Sequence, residues 1–68
     1  MYYVYILKSV RDDNVYIGYT NDLKRRLREH NTSSSKATKP RLPLKLIYYE
    51  AYLSEKDAKD RELKLKRF

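Results

Sequence analysis

Two tyrosine-centred tripeptides stand near the start of the chain, Tyr3-Val4-Tyr5 and Tyr16-Ile17-Gly18, with ten residues between Tyr5 and Tyr16. The second closes on Gly18, the only glycine of the 68 residues. A lone glycine at the end of an apolar stretch predicts a backbone with positive φ or a place where something must come close. A tyrosine beside it can present a phenol to whatever approaches. Further on, at about 100° per residue, Leu23, Arg26, Leu27 and His30 fall on one helical stripe. Lys24, Arg25 and Arg28 fall on the other side. Near the end of the chain Ala58, Glu62 and Leu65 share a second stripe, with Arg61 at its edge. Two phenols, an inward guanidinium, the only histidine and one isolated carboxylate are a set suited to cleaving a phosphodiester. A metal ion and a guanidinium stabilise charge on the phosphate, while a phenol or an imidazole handles a proton.

Each of these residues also has a plainer reading. Arg26 can snorkel past its leucine neighbours, with His30 closing the helix end. Glu62, an acid on an inward face, is costly to bury unless it is paired or metal-bound. Arg26 and Lys66 are candidate partners; a hard cation such as Mg²⁺, which often takes only one or two protein carboxylates and keeps several waters, is the other. Other chemistries lack their parts. The chain has no cysteine, which excludes disulfides, thiolate metal sites and a cysteine nucleophile. A Ser-His-Asp arrangement has no supporting motif around the single histidine, and no glycine-rich phosphate loop is present.

The elements that carry these residues follow from periodicity and turn chemistry. Tyr2 to Lys8 is dense in β-branched and aromatic residues and reads as a strand. Ser9 to Asn14 is a polar turn, and Val15 to Tyr19 a second strand, so the two form an antiparallel hairpin. The register that puts Tyr3, Tyr5 and Leu7 on one face with Tyr16 and Gly18 is the favoured one; a one-residue slip would separate the two tyrosines. Thr20 or Asn21 can cap a helix running to about His30, with Asp22 in its first turn. Asn31 to Pro43 is a long aperiodic loop, of the sort that is functional or disordered. Leu44 to Tyr52 is a third strand, and Ser54-Glu55-Lys56-Asp57 approximates a capping box that opens a second helix. The fold class is therefore α+β: a three-stranded antiparallel sheet flanked by helices, in the order β-β-α-β-α, forming a single domain over residues 1–68.

Sixteen Lys+Arg against nine Asp+Glu give a formal charge of +7, the balance of a protein that binds a polyanion, nucleic acid first among them. Eight tyrosines and one phenylalanine make up the aromatic content. A tyrosine needs a partner for its hydroxyl, so several rings are expected to face a polar surface. No apolar run approaches the roughly 20 residues that span a bilayer, and the N-terminus lacks the basic region and cleavage site of a signal peptide. A cytoplasmic location without membrane association is expected.

Taken together, these segments resemble the GIY-YIG nuclease superfamily, and within it the small single-domain proteins similar to the nuclease domain of the bacterial excision-repair incision subunit. Tyr3-Val4-Tyr5 stands in place of Gly-Ile-Tyr, and Tyr16-Ile17-Gly18 matches the second motif. The stretch Gly18 to Leu27 is similar to the segment that follows, with Arg26 at the motif arginine, and His30-Asn31 to the family's His-Asn. Lys36 to Pro43 and Tyr48-Tyr49-Glu50 resemble this subgroup, and Ala58 with Arg61-Glu62 the helix that carries a metal-binding glutamate. Tyr3 departs from the motif glycine. The chain also stops soon after Glu62, where small relatives usually carry a longer basic tail, so a C-terminally truncated or minimal member is expected.

The resemblance implies hydrolysis of a DNA strand with one divalent metal, Mg²⁺ or Mn²⁺, on Glu62. It implies that Tyr5 or Tyr16 activates or orients water and that Arg26 holds the scissile phosphate. His30 would relay a proton or orient a tyrosine, and Gly18 would let backbone and phosphate come close. Lys24, Arg25 and Arg28, with Lys36, Lys39 and Arg41 in the long loop, are candidates for backbone phosphate contacts, which position a strand without specifying its sequence. The expected substrate is DNA, cut by structure (branched, nicked or single-stranded) rather than by sequence. Two other readings stand beside this one: a non-catalytic nucleic-acid-binding module, and a protein-interaction domain built on the tyrosines.

Overall fold

The computed structural model describes residues 1–32 and 42–67. Its elements are β1 (Tyr2–Ser9), β2 (Val15–Thr20), α1 (Leu23–Asn31), β3 (Leu44–Tyr52) and α2 (Glu55–Lys66). The three strands form one antiparallel sheet in the order β2-β1-β3. Residues of the first tripeptide thus lie on the central strand and those of the second on an edge.

The register of the hairpin pairs Tyr5 with Gly18 and Leu7 with Tyr16. Side chains alternate along a strand, so Tyr3, Tyr5 and Leu7 share one face with Tyr16 and Gly18, as the favoured register requires. On the other side of β1, pairing runs Tyr3 with Ala51 and Tyr5 with Tyr49, then shifts so that Leu7 meets Leu46. The shift leaves Ile47 as an extra residue on β3, a bulge. Without it Leu46 and Tyr49, three positions apart, would point to opposite faces; with it both join the face of Tyr5 and Leu7.

That face carries the hydrophobic core of Tyr5, Leu7 and Leu44, packed against Tyr16, Leu23, Leu27, Leu42 and Leu46. Helix α1 supplies Leu23 and Leu27 and so covers this side. The opposite face, with Val4, Tyr19 and Glu50, is covered by α2: Tyr19 donates to Glu55 Oε2 at 2.6 Å, and Arg61 Nε to Glu50 Oε1 at 2.9 Å. Val4 and Ala58 are fully buried there. The small Ala58 side chain lets the helix lie close to the sheet. Each fully buried aliphatic or aromatic side chain is worth about 1.5–3 kcal/mol, and here such side chains are few.

Helix α1 begins later than the sequence suggests. Thr20 remains in β2, and its hydroxyl accepts the N–H of Asp22 at 3.1 Å. Asp22 keeps an extended backbone (φ −144°) and is itself the N-cap, its carboxylate accepting the N–H of Arg25 at 3.2 Å. A carboxylate accepts more strongly than a threonine hydroxyl already committed to a turn. Ser54 caps α2 as expected, accepting the N–H of Asp57 at 3.3 Å.

Candidate active site

Tyr5 is the centre of the site. It lies mid-way along the central strand, 1% exposed, and its ring crosses the neighbouring strand at Gly18. A Cβ on Gly18 would overlap the Tyr5 hydroxyl and lie 2.9 Å from its Cε1. No glycine has positive φ, so of the two reasons for Gly18, close approach is the operative one. The approaching group is the phenol of Tyr5. Gly18 is itself buried, and the space expected to admit a phosphate is filled by that ring.

The Tyr5 hydroxyl meets two groups from α1. It stands 3.1 Å from His30 Nε2 and accepts a bond from Arg26 Nε at 3.4 Å. His30 is fully buried, and burial, with the Arg26 charge beside it, holds its pKa below the ordinary histidine value. A neutral imidazole follows, with Nε2 accepting the phenolic proton and Nδ1 carrying the hydrogen. Burial raises the Tyr5 pKa above 10; hydrogen bonding and charge from Arg26 offset part of this, while Tyr16 and Glu62 add to it. Tyr5 is therefore a neutral phenol at rest.

Arg26 reaches past Tyr5 towards solvent, donating from Nη1 to Glu29 at 3.2 Å. The hydrogen bonds to Tyr5 and Glu29, with the Tyr16 phenol nearby, hold it firmly charged against the opposing effect of partial burial. Tyr16, only half-buried, packs edge-on to His30 with ring centroids 5.0 Å apart and lies 6.4 Å from the Tyr5 ring. The helical stripe thus converges on one phenol: Arg26 and His30 face it, and Lys24, Arg25 and Arg28 are exposed. His30 does not close the helix; Thr32 does, its N–H and hydroxyl both bonded to the Arg28 carbonyl.

Glu62 comes from α2. Its carboxylate is near enough to Tyr5 and Tyr19 to raise both phenols. Its side chain is 20% exposed, and Oε2 pairs with Lys66 Nζ at 3.0 Å. Of the two ion-pair partners weighed from sequence, Lys66 is the one present. Among the described residues no three His, Cys, Asp or Glu side chains gather into a metal cage, and none of them donates a hydrogen bond to Glu62 Oε1. One carboxylate with a spare oxygen, opening to solvent, fits a hard divalent ion that keeps its waters and does not fit a fully protein-ligated one.

Two positions that matter here were given no role in the site from the sequence. Glu29 braces Arg26 from one turn away, and an acid three residues after an arginine is the signal that would have found it. Glu50 anchors α2 by accepting from Arg61 at 2.9 Å, and is itself held by Tyr48 and Tyr52 of its own strand at 2.6 and 2.9 Å. The Arg61 guanidinium, with the Tyr48 and Tyr52 phenols, pulls its pKa down to about 2. That pairing links residues 11 apart and leaves no local pattern. Lys36, Lys39 and Arg41 lie outside the described residues.

The cations divide unevenly. On α2, Lys56, Lys59, Arg61 and Lys66 pair with Asp60, Glu55, Glu50 and Glu62. Lys24, Arg25 and Arg28 enter no ion pair among the described residues. Among the described residues, single cations without an ion pair remain on β3 (Lys45) and α2 (Lys64), but three gather on α1, beside Arg26.

The family description "GIY-YIG catalytic domain" matches residues 1–67. A UPF0213 protein of Streptococcus pneumoniae is 47% identical over 66 residues, covering 96% of this chain and 66% of that protein. Another, of Clostridium perfringens, is 41% identical over 68 residues, covering 98% of this chain and 72% of its own length. The chain thus spans about two thirds of the curated relatives it matches. The solution NMR structure of a UPF0213 protein from Bacillus halodurans superposes with a TM-score of 0.61 at 36% identity, covering all of this chain and 73% of that one. The chain belongs to the GIY-YIG nuclease family.

Proposed function

We propose that this GIY-YIG domain hydrolyses phosphodiester bonds of DNA, with a divalent ion held by Glu62 and selectivity for DNA structure over sequence. The observation that carries this reading is the convergence of Arg26 and His30 on the Tyr5 hydroxyl, next to Tyr16 and to the uncompensated cations of α1. In the reaction, water attacks phosphorus and gives up a proton, the bond to one sugar oxygen breaks, and that oxygen takes up a proton. Arg26, charged and reaching solvent, holds the phosphate and stabilises the added charge. Tyr16 is the phenol that meets substrate and orients the water, because Tyr5 is buried and its hydroxyl is committed to His30 and Arg26. Tyr5 thus positions the other two groups from beneath. A divalent ion on Glu62 supplies Lewis-acid stabilisation of the phosphate and leaving oxygen. The same acid fits Mn²⁺ as well as Mg²⁺.

The experiment compares cleavage of labelled single-stranded, duplex and branched DNA by wild type, Arg26→Ala and Arg25→Ala. Loss of one preorganised charge-stabilising group costs about 10²–10³ in rate. The expected result is a loss of that size for Arg26→Ala and near wild-type cleavage for Arg25→Ala. Equal effects of the two would remove Arg26 from the phosphate site. One observation favours a second reading, a binding module without turnover: Lys66 already occupies Oε2 of Glu62. Salt-sensitive DNA binding with no cleavage under any divalent metal is the result that would establish it.

A further inference from the structure

Between the start of α1 and the sheet lies a groove of about 470 Å³ on the same face as Tyr5. Its apolar floor is Leu23, Leu27 and Leu46, and its aromatic wall is Tyr3 and Tyr49. Asn21, Asp22 and Lys24 form the polar rim. Tyr49 is directly opposite Tyr5 across the sheet and Tyr3 is two residues from it on β1, so groove and candidate site share a wall. The two rings are tilted by 59° with centroids 6.3 Å apart, which leaves neither face fully covered by the other. Tyr49 is 53% exposed, so its ring is open to a stacking partner.

Charge selects the occupant. Lys24 on the rim and Arg25 and Arg28 further along α1 have no acidic partner among the described residues. The one acid on the rim, Asp22, has an oxygen committed to the N–H of Arg25. An aromatic platform with one cation on its rim and two more along the same helix is what a single strand recognises: bases stack on the ring and the backbone follows the positive charge. We propose that this groove holds one unpaired base of a single-stranded DNA segment, stacked on Tyr49 and set beside the phosphate that Arg26 holds. The proposal rests on the nuclease reading above and deepens it: it makes an unpaired base the feature by which the domain selects its substrate. Stacking tolerates any base, so no sequence preference follows. A fully paired duplex keeps its bases stacked internally and cannot fill the groove.

The test is fluorescence anisotropy with a labelled single-stranded oligonucleotide and a duplex of equal length, at one salt concentration and without divalent metal. Wild type is compared with Tyr49→Leu and Tyr49→Phe. Removing a stacking ring costs about 5- to 150-fold in affinity per base. The expected result is a loss in that range for Tyr49→Leu on the single strand alone, with duplex affinity unchanged, and recovery in Tyr49→Phe, which keeps the ring. A loss shared equally by both DNAs, no loss at all, or no recovery in Tyr49→Phe would overturn the groove assignment while leaving DNA binding in place. Binding of neither DNA by wild type would overturn the nucleic-acid reading and the groove with it.

Discussion

The Tyr5 hydroxyl does two tasks at once, since it donates a hydrogen bond to His30 Nε2 and accepts one from Arg26 Nε. Tyr5→Phe removes one oxygen and strands a buried imidazole nitrogen, a loss of about 1–3 kcal/mol, readable as a shift in the urea midpoint. Gly18→Ala acts on the same contact from the other side. The new methyl group collides with a ring already held by two partners, so relaxation is hindered and about 1–3 kcal/mol is lost. The pH dependence follows from His30, the only histidine. Its folded pKa is lowered, so below about 6.5 the unfolded chain binds the proton more readily. Stability is full above that value and declines as pH falls from 6.5 through the lowered folded pKa. Urea unfolding at about pH 7 and pH 5 should show this decline, and His30→Gln should flatten it. A wild-type curve flat over that range would mean that the imidazole is not held neutral. Most of this site was legible in the sequence. Helical spacing turned Arg26 and His30 inward, and the tripeptides marked Tyr5, Tyr16 and Gly18. What Gly18 makes room for was not legible, because that depends on which cross-strand neighbour leans over it.

At the level of elements, the two helices are attached by different means. Helix α1 docks through leucines on the core face, whereas α2 docks on the other face through the Arg61–Glu50 and Tyr19–Glu55 bonds around the buried Val4 and Ala58. Glu50→Ala therefore loosens α2 and, with it, the position of Glu62. Partial exposure screens the Arg61 pair, so the expected loss is about 1–2 kcal/mol rather than the sum of the bonds. Mn²⁺ affinity measured by calorimetry should weaken in parallel; unchanged affinity would show that Glu62 is held without Glu50. The three strands, the hairpin and both helices were legible from alternation, turn residues and caps. The bulge at Ile47 was not, since nothing in Leu44-Lys45-Leu46-Ile47-Tyr48-Tyr49 marks where pairing with β1 must slip. The start of α1 was also misplaced: Thr20 and Asp22 are both competent caps, and β-pairing of Thr20 with Tyr3 decides between them.

Across the whole molecule the charge of +7 is less informative than its distribution. Ion pairs neutralise much of α2, so on the proposed reading the unpaired cations on α1 mark the face that meets DNA. Replacing Lys24, Arg25 and Arg28 together with alanine should lower the slope of log affinity against log salt by about 2 for single-stranded DNA, roughly 0.7 for each phosphate no longer neutralised. Replacing the paired Lys56 and Lys59 should leave the slope nearly unchanged, and an equal fall would show that charge acts only in bulk. Composition announced a polyanion but could not say which helix carries it, because pairing is settled only when the elements pack. Everything proposed for this domain turns on one carboxylate of α2 making the assembly a hydrolase. The most direct measurement is cleavage of labelled single-stranded and branched DNA by wild type and Glu62→Ala, prepared in parallel, with Mg²⁺, Mn²⁺ or EDTA. The predicted result is cutting by wild type with either metal, none with EDTA, and none by a Glu62→Ala variant that still binds DNA. Equal cutting by the two proteins, or cutting that survives EDTA, would contradict it.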